Sequence, residues 1–191
     1  MFGCSPVCLP GFFPPAGPQV TDSRFCWKAH LSGFKVNVDA AVDVKMRCFN
    51  VGVIVRDAAG QPLFAAAKSF DYLFDVEVSE GRAILEGIES VVFLHLSNVI
   101  IESDALNLVK LCNGLLCSLA EVDNVVQDVQ FLLGLHPSFS VAFVSRVGNN
   151  VTHCLAKWAV GNFSSCSWFV SSFPDWLLKL IRVDGCSVSS V

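Results

Sequence analysis

From Phe34 the chain alternates apolar and polar positions with period two as far as Asp39, the pattern of a strand with one face against a core. A polar interval containing Asp43, Lys45, Arg47 and Asn50 separates it from the apolar run Val51 to Val55, which reads as a second strand. Asp57-Ala58-Ala59-Gly60 has turn chemistry, with Gly60 suited to a positive φ, and Leu63 to Ala67 follows as a third strand. Together these make an antiparallel meander. Between Glu77 and His95 the positions Ile84, Gly87, Ile88, Val91 and Val92 recur at helical spacing, and Glu80 falls on the same stripe. Asn98 to Glu102 is a β-branched run suited to a doubly covered parallel strand, and Ala105 to Cys112 resumes helical periodicity. Glu121 to Leu135 reads as another helix, stopped by His136-Pro137. A fifth strand is expected from Phe139 to Val144, and a last helix from about Asn150, an N-cap residue type, to Val160. The predicted order is β-β-β-α-β-α-α-β-α.

The flanks differ in character. Prolines at 6, 10, 14, 15 and 18, with glycines between them, oppose helix and sheet, so residues 1–32 are expected to be a poorly ordered leader. Met1 to Val20 contains no Lys or Arg, which does not suit a secretory signal. Residues 33–160 form the expected domain. Residues 161–191 carry Trp168, Phe169, Phe173, Trp176, Leu177, Leu178, Leu180 and Ile181, an extension apolar enough to pack back onto that domain. A partner-binding tail is the other reading.

A hydrophobic fraction of 53% supplies ample core for one domain. The longest apolar candidate, Val91 to Ile101, is interrupted by His95, Ser97 and Asn98, short of the roughly 18 residues a membrane span needs. The nine cysteines contain no Cys-x-x-Cys pair, so neither a disulfide framework nor a zinc cage is indicated. Buried thiols in an intracellular protein, nuclear or cytoplasmic, are expected, with a monomer as the oligomeric state. A net charge of -4 argues against avid nucleic-acid binding unless the thirteen cations form a local patch.

Candidate chemistry rests on three acids. Asp39 ends the first predicted strand, Asp104 follows the fourth, and Glu80 lies on a buried helical stripe where an unpartnered carboxylate would suffer desolvation. Three acidic side chains at element ends suggest a cation site. Blander roles exist for each: a turn residue for Asp39, a partner of the helix dipole for Glu80 and a helix cap for Asp104.

The blocks Lys35 to Ala41, Gly52 to Gly60, Ser79 to Gly87, Ile101 to Ala105 and Asn149 to Lys157 stand in an order that resembles the ribonuclease H-like fold. The chain looks most like the plant type-1 ribonuclease H domains often called reverse-transcriptase-like. The resemblance covers about residues 33 to 160, and Phe173-Pro174-Asp175-Trp176-Leu177 is similar to the ends of those proteins. It implies an α/β fold with a five-stranded mixed sheet, helices on both faces, and the fourth strand parallel to the first. It also implies hydrolysis of the RNA strand of RNA–DNA hybrids with Mg²⁺ or Mn²⁺. Asp39 would bridge two ions, Glu80 and Asp104 would complete their shells, and Glu80 would lie near the ribose 2′-hydroxyl.

Two departures bear on activity. The family's last helix usually carries a fourth acid in Asn-x-x-Ala-Asp-x-Leu-Ala, where this chain has His153. His153 is therefore the expected fourth catalytic and metal residue, although imidazole is a poorer Mg²⁺ ligand than carboxylate. The loop Phe143-Val144-Ser145-Arg146-Val147 lacks the histidine common there. The competing expectation is an inactive module, derived from a mobile element, that binds nucleic acid or protein. Arg146 and Lys157 read as phosphate contacts, Arg56-Asp57 as hairpin polarity, and Trp158 and Trp168 as core.

Overall fold

Strand β1 (Phe34–Asp43) is covered on both faces, and its alternation divides the molecule into two cores. The computed structural model describes residues 32–72, 75–116, 122–162 and 164–184. The predicted leader 1–32 lies outside these residues, apart from Ser32. Strands β2 (Cys48–Asp57) and β3 (Pro62–Phe70) complete the meander, followed by helix α1 (Val76–Phe93), β4 (Val99–Ser103), α2 (Leu106–Cys112), α3 (Asp123–Leu135), β5 (Phe139–Phe143) and α4 (Asn150–Asn162). The expected order is observed in full.

Two further elements follow, β6 (Cys166–Phe169) and α5 (Asp175–Val183). The sheet therefore has six strands, in the order β5-β4-β1-β2-β3-β6, where five were expected. Strand β6 pairs antiparallel with the outer edge of β3, Phe64 to Ala67 against Phe169 to Cys166. Four residues with a single inward side chain, Trp168, are too short to show a period in sequence. Their pairing partners are 99 to 105 residues distant, so the edge of β3 recruits the strand more than local propensity does.

Val36 and Val38 of β1, with Val51, Val53 and Val55 of β2, face α1, α2 and α3 and build the first core. The opposite face carries Ile54, Ala65 and Ala67 against Val151, Leu155 and Trp158 of α4, with Trp168, Leu177 and Ile181 closing it. Trp158 meets Trp168 edge-on at 5.4 Å and stacks on Trp176 at 5.9 Å, the core role the sequence suggested. Two glycines let helices approach the sheet. A Cβ on Gly87 of α1 would lie 2.6 Å from Val38 Cγ1, and one on Gly52 of β2 would lie 2.1 Å from the Thr152 carbonyl of α4. Cys48, Cys112 and Cys154 are buried single thiols. Among the described residues, no helix is long and apolar enough to cross a membrane.

Candidate metal centre

Asp39 does not end its strand. Strand β1 continues four residues to Asp43, held by the β2 hairpin through the pair Asp43↔Cys48. The neighbouring strand is the one that stops: the β1–β4 ladder closes with Asn37↔Glu102 and β4 ends at Ser103. Asp39 thus sits just beyond the last parallel rung, beside the loop that carries Asp104.

Asp104 immediately follows β4, and the first residue flanking α2 is Ala105, with no side-chain cap. The carboxylate of Asp104 instead accepts from Asn149 Nδ2 at 3.3 Å and lies 3.5 Å from Arg146 Nη1. Its candidate role as a helix cap is thereby removed. Glu80 is the fifth residue of α1, past the first turn, and stands on the buried face together with Ala83, Ile84 and Gly87. Gly87 brings that helix close to Val38, one residue from Asp39.

The structure draws these three acids together. Asp39, Glu80 and Asp104 each offer an oxygen, all within 4.8 Å of one another. Burial raises the Asp39 carboxyl above its ordinary range, and the negative Asp104 adds to this, against a lowering hydrogen bond from His153. Burial likewise pushes Glu80 up to about 8, reinforced by Asp39 and Asp104 and opposed by a hydrogen bond from the backbone of Ala40. Glu80 Oε2 is sequestered from solvent with no hydrogen-bond partner. An orphaned oxygen among mutually repelling carboxylates is what a hard divalent cation satisfies, so the donor set fits Mg²⁺ or Mn²⁺.

His153 borders this cluster, with Nδ1 2.8 Å from Asp39 Oδ2 and Nε2 3.5 Å from Arg146 Nη2. It reaches Asp39 because Gly52, opposite Asp39 in register, lets α4 settle on the sheet. A 3₁₀ turn, Arg146–Asn149, runs directly into α4, so Asn150 is helical and not a cap; Ser145 Oγ accepts from the Gly148 amide instead.

Asn149 had no role in the sequence reading. Its Nδ2 donates to the Val38 carbonyl at 2.8 Å as well as to Asp104, while its Oδ1 accepts from Thr152 Oγ1 at 2.8 Å. It thus ties the start of α4 to β1 and to the second aspartate. The one hint in sequence was its place at the head of the last block. Lys157 is exposed on α4. Asp57 does organise the hairpin turn, accepting from the amides of Ala59 and Gln61. Arg56 does not share that role: it is fully buried and donates to Asp184 Oδ2 at 2.8 Å.

Known structures share this architecture. RNase H1 from Halobacterium salinarum superposes with a TM-score of 0.63 at 16% identity, covering 66% of this chain and 96% of the other. The N-terminal RNase H domain of a Mycobacterium tuberculosis protein, solved as a fusion with maltose-binding protein, gives 0.60 at 17%, covering 67% and 93%. LC11-RNase H1, isolated from compost by a metagenomic approach and solved in complex with an RNA/DNA hybrid, gives 0.60 at 14%, covering 65% and 94%. At these identities the likeness establishes the fold. No curated protein matches the sequence. A sequence model described as reverse transcriptase-like matches residues 37–159, which is more than half of the chain, and the protein belongs to that family.

Proposed function

We propose that the protein is a divalent-cation-dependent endonuclease of ribonuclease H type that hydrolyses the RNA strand of RNA–DNA hybrids. The observation that carries this reading is the convergence of Asp39, Glu80 and Asp104 within 4.8 Å. These three side chains would hold Mg²⁺ or Mn²⁺, which when bound supplies the Lewis acidity for phosphodiester hydrolysis. His153 completes the catalytic set in the place of the family's fourth acid. Through Nδ1 it orients Asp39, while its Nε2 faces the Arg146 guanidinium. Arg146, with its side chain 68% exposed beside Asp104, is placed to contact a substrate phosphate. The partner in this reading is nucleic acid, the acting unit is a monomer inside the cell, and residues 33–160 carry the catalytic domain. The plant type-1 ribonuclease H domains are the branch that the His153 block resembles.

The test is direct. Purified protein with Mg²⁺ or Mn²⁺ cleaves a labelled RNA–DNA hybrid, and Asp39→Asn abolishes cleavage with its circular dichroism unchanged. Well-folded protein inert in both metals defeats the enzyme reading.

One feature favours a second reading, a catalytically inactive binding module. Asp39 is hydrogen-bonded to His153, Asp104 to Arg146 and Asn149, and Glu80 through one oxygen to the Ala40 backbone, so each of the three acids already has an internal partner. Hybrid binding that is indifferent to divalent cation, with no cleavage, selects this alternative.

A further inference from the structure

On the second-core face, β1 presents a row of polar side chains, Lys35, Asn37 and Asp39, where an apolar row would pack more readily. Lys35 stands opposite Arg56 in the β1–β2 register, and both are buried. Two like charges on adjacent strands repel, and a buried guanidinium without a counterion is strongly destabilising. The fold supplies two anions from distant parts of the chain. Glu102 of β4 takes Lys35 at 2.5 Å, and Asp184, just past α5, takes Arg56 Nη2 at 2.8 Å.

Asn37 joins these pairs into one network. Its Nδ2 donates to Glu102 Oε2 at 3.0 Å, and its Oδ1 accepts from Arg56 Nη1 at 3.3 Å. The position of this joint matters. Asn37↔Glu102 is the last register pair between β1 and β4. Asp39 follows Asn37 by two residues on the same face of β1, and Asp104 follows Glu102 by two. The network therefore clamps the two strands at the rung directly behind the two aspartates, and the separation of those carboxylates is set from there.

We propose that Asp184 is a positioning residue for the acidic site: through Arg56 and Asn37, the C-terminal helix fixes the last β1–β4 rung and with it the spacing of Asp39 and Asp104. This rests on the cation-site reading given above and extends it to a residue outside the 37–159 family match. It also places the C-terminal segment within the working domain.

The experiment titrates the full chain with Mn²⁺, following the free-ion electron paramagnetic resonance signal, for wild type, Asp184→Asn and Leu178→Ala. Leu178 packs against the second core on the same helix and takes no part in the network. Asp184→Asn is expected to bind Mn²⁺ about tenfold more weakly, the lower end for loss of an outer-shell partner, with its circular dichroism retained. Leu178→Ala is expected to melt at lower temperature with Mn²⁺ affinity unchanged. Where Asp184→Asn does not fold, the double variant Arg56→Met with Asp184→Leu replaces the ion pair by apolar side chains and is expected to show the same tenfold loss. Wild-type affinity in the folded Asp184 variant, or in the folded double variant, overturns the proposal. An equal loss in Leu178→Ala also overturns it, because helix packing alone then explains the effect. Absence of Mn²⁺ binding in the wild type overturns the cation reading and this inference together, an outcome distinct from the others.

Discussion

Glu80 offers the sharpest test of the site. Its carboxyl is pushed up from 4.5 to about 8 by burial and by Asp39 and Asp104. In the folded chain without cation it keeps a proton that the unfolded chain has already lost, so stability contributed below about pH 4.5 is lost as pH rises through about 8. At ~1.4 kcal/mol per unit the full shift is worth ~5 kcal/mol. Glu80 retains partial exposure, and solvent screening brings the expected figure to ~2–3 kcal/mol. Glu80→Gln keeps the shape and removes the ionisation. In chelator, the variant should match wild type near pH 4 and exceed it by ~2–3 kcal/mol near pH 9, a melting difference of roughly 5–10 °C. Adding Mg²⁺ should reverse the ranking at high pH, because the ion stabilises the wild-type carboxylates and finds one fewer in the variant. Urea or thermal unfolding at about pH 4, 7 and 9, with chelator or Mg²⁺, measures all of this. A variant no more stable than wild type at pH 9 in chelator, or equally more stable at pH 4, would refute the account of repelling, desolvated acids.

Two other perturbations probe how the site is held. Gly52→Ala places a Cβ 2.1 Å from the Thr152 carbonyl and must push α4 off the sheet; the expected cost is at least the ~1–3 kcal/mol of core overpacking, read by urea unfolding, and weaker Mn²⁺ binding should accompany it. An Ala variant of wild-type stability would show that α4 is not packed as closely as described. His153→Ala removes the hydrogen bond that holds the Asp39 carboxyl down, so that carboxyl rises further. Mn²⁺ affinity should then fall more in acid than in alkali, where Asp39 is ionised with or without the imidazole, and calorimetric titrations showing the same loss at both ends of the pH range would contradict it.

How much of this was legible in the sequence depends on how local the determining contacts are. Strand β1, helix α1 and strand β4 announce themselves through period and composition, because each keeps one pattern along its length: alternation, a helical stripe and a β-branched run. The three acids were legible for a related reason: each breaks, or closely follows, such a pattern, and a carboxylate on an apolar stripe demands a partner. Their closeness was not legible from period alone; the ordered blocks supplied it by resemblance. Arg56 was misread because it adjoins a genuine turn. Asp57 satisfies local amides at Ala59 and Gln61, while the counterion of Arg56 lies 128 residues away. Asn149 escaped for the same reason, since Val38 in β1 and Asp104 just past β4 are both distant from it in sequence.

The polar row on β1 shows what the two cores are for. On the α1 face, Val36 and Val38 pack as any buried strand does. On the other face the chain buries four charges, Lys35, Arg56, Glu102 and Asp184, joined by the amide of Asn37, where well-packed apolar residues often serve stability equally well. Hydrogen bonds with fixed donors and acceptors reinforce the register that the alternating apolar face already sets. A site that must hold three mutually repelling carboxylates within 4.8 Å needs strands that do not slip. The buried network supplies that constraint one rung behind the acids, and the Asp184 and Leu178 variants separate its geometric role from the stability of the fold around it.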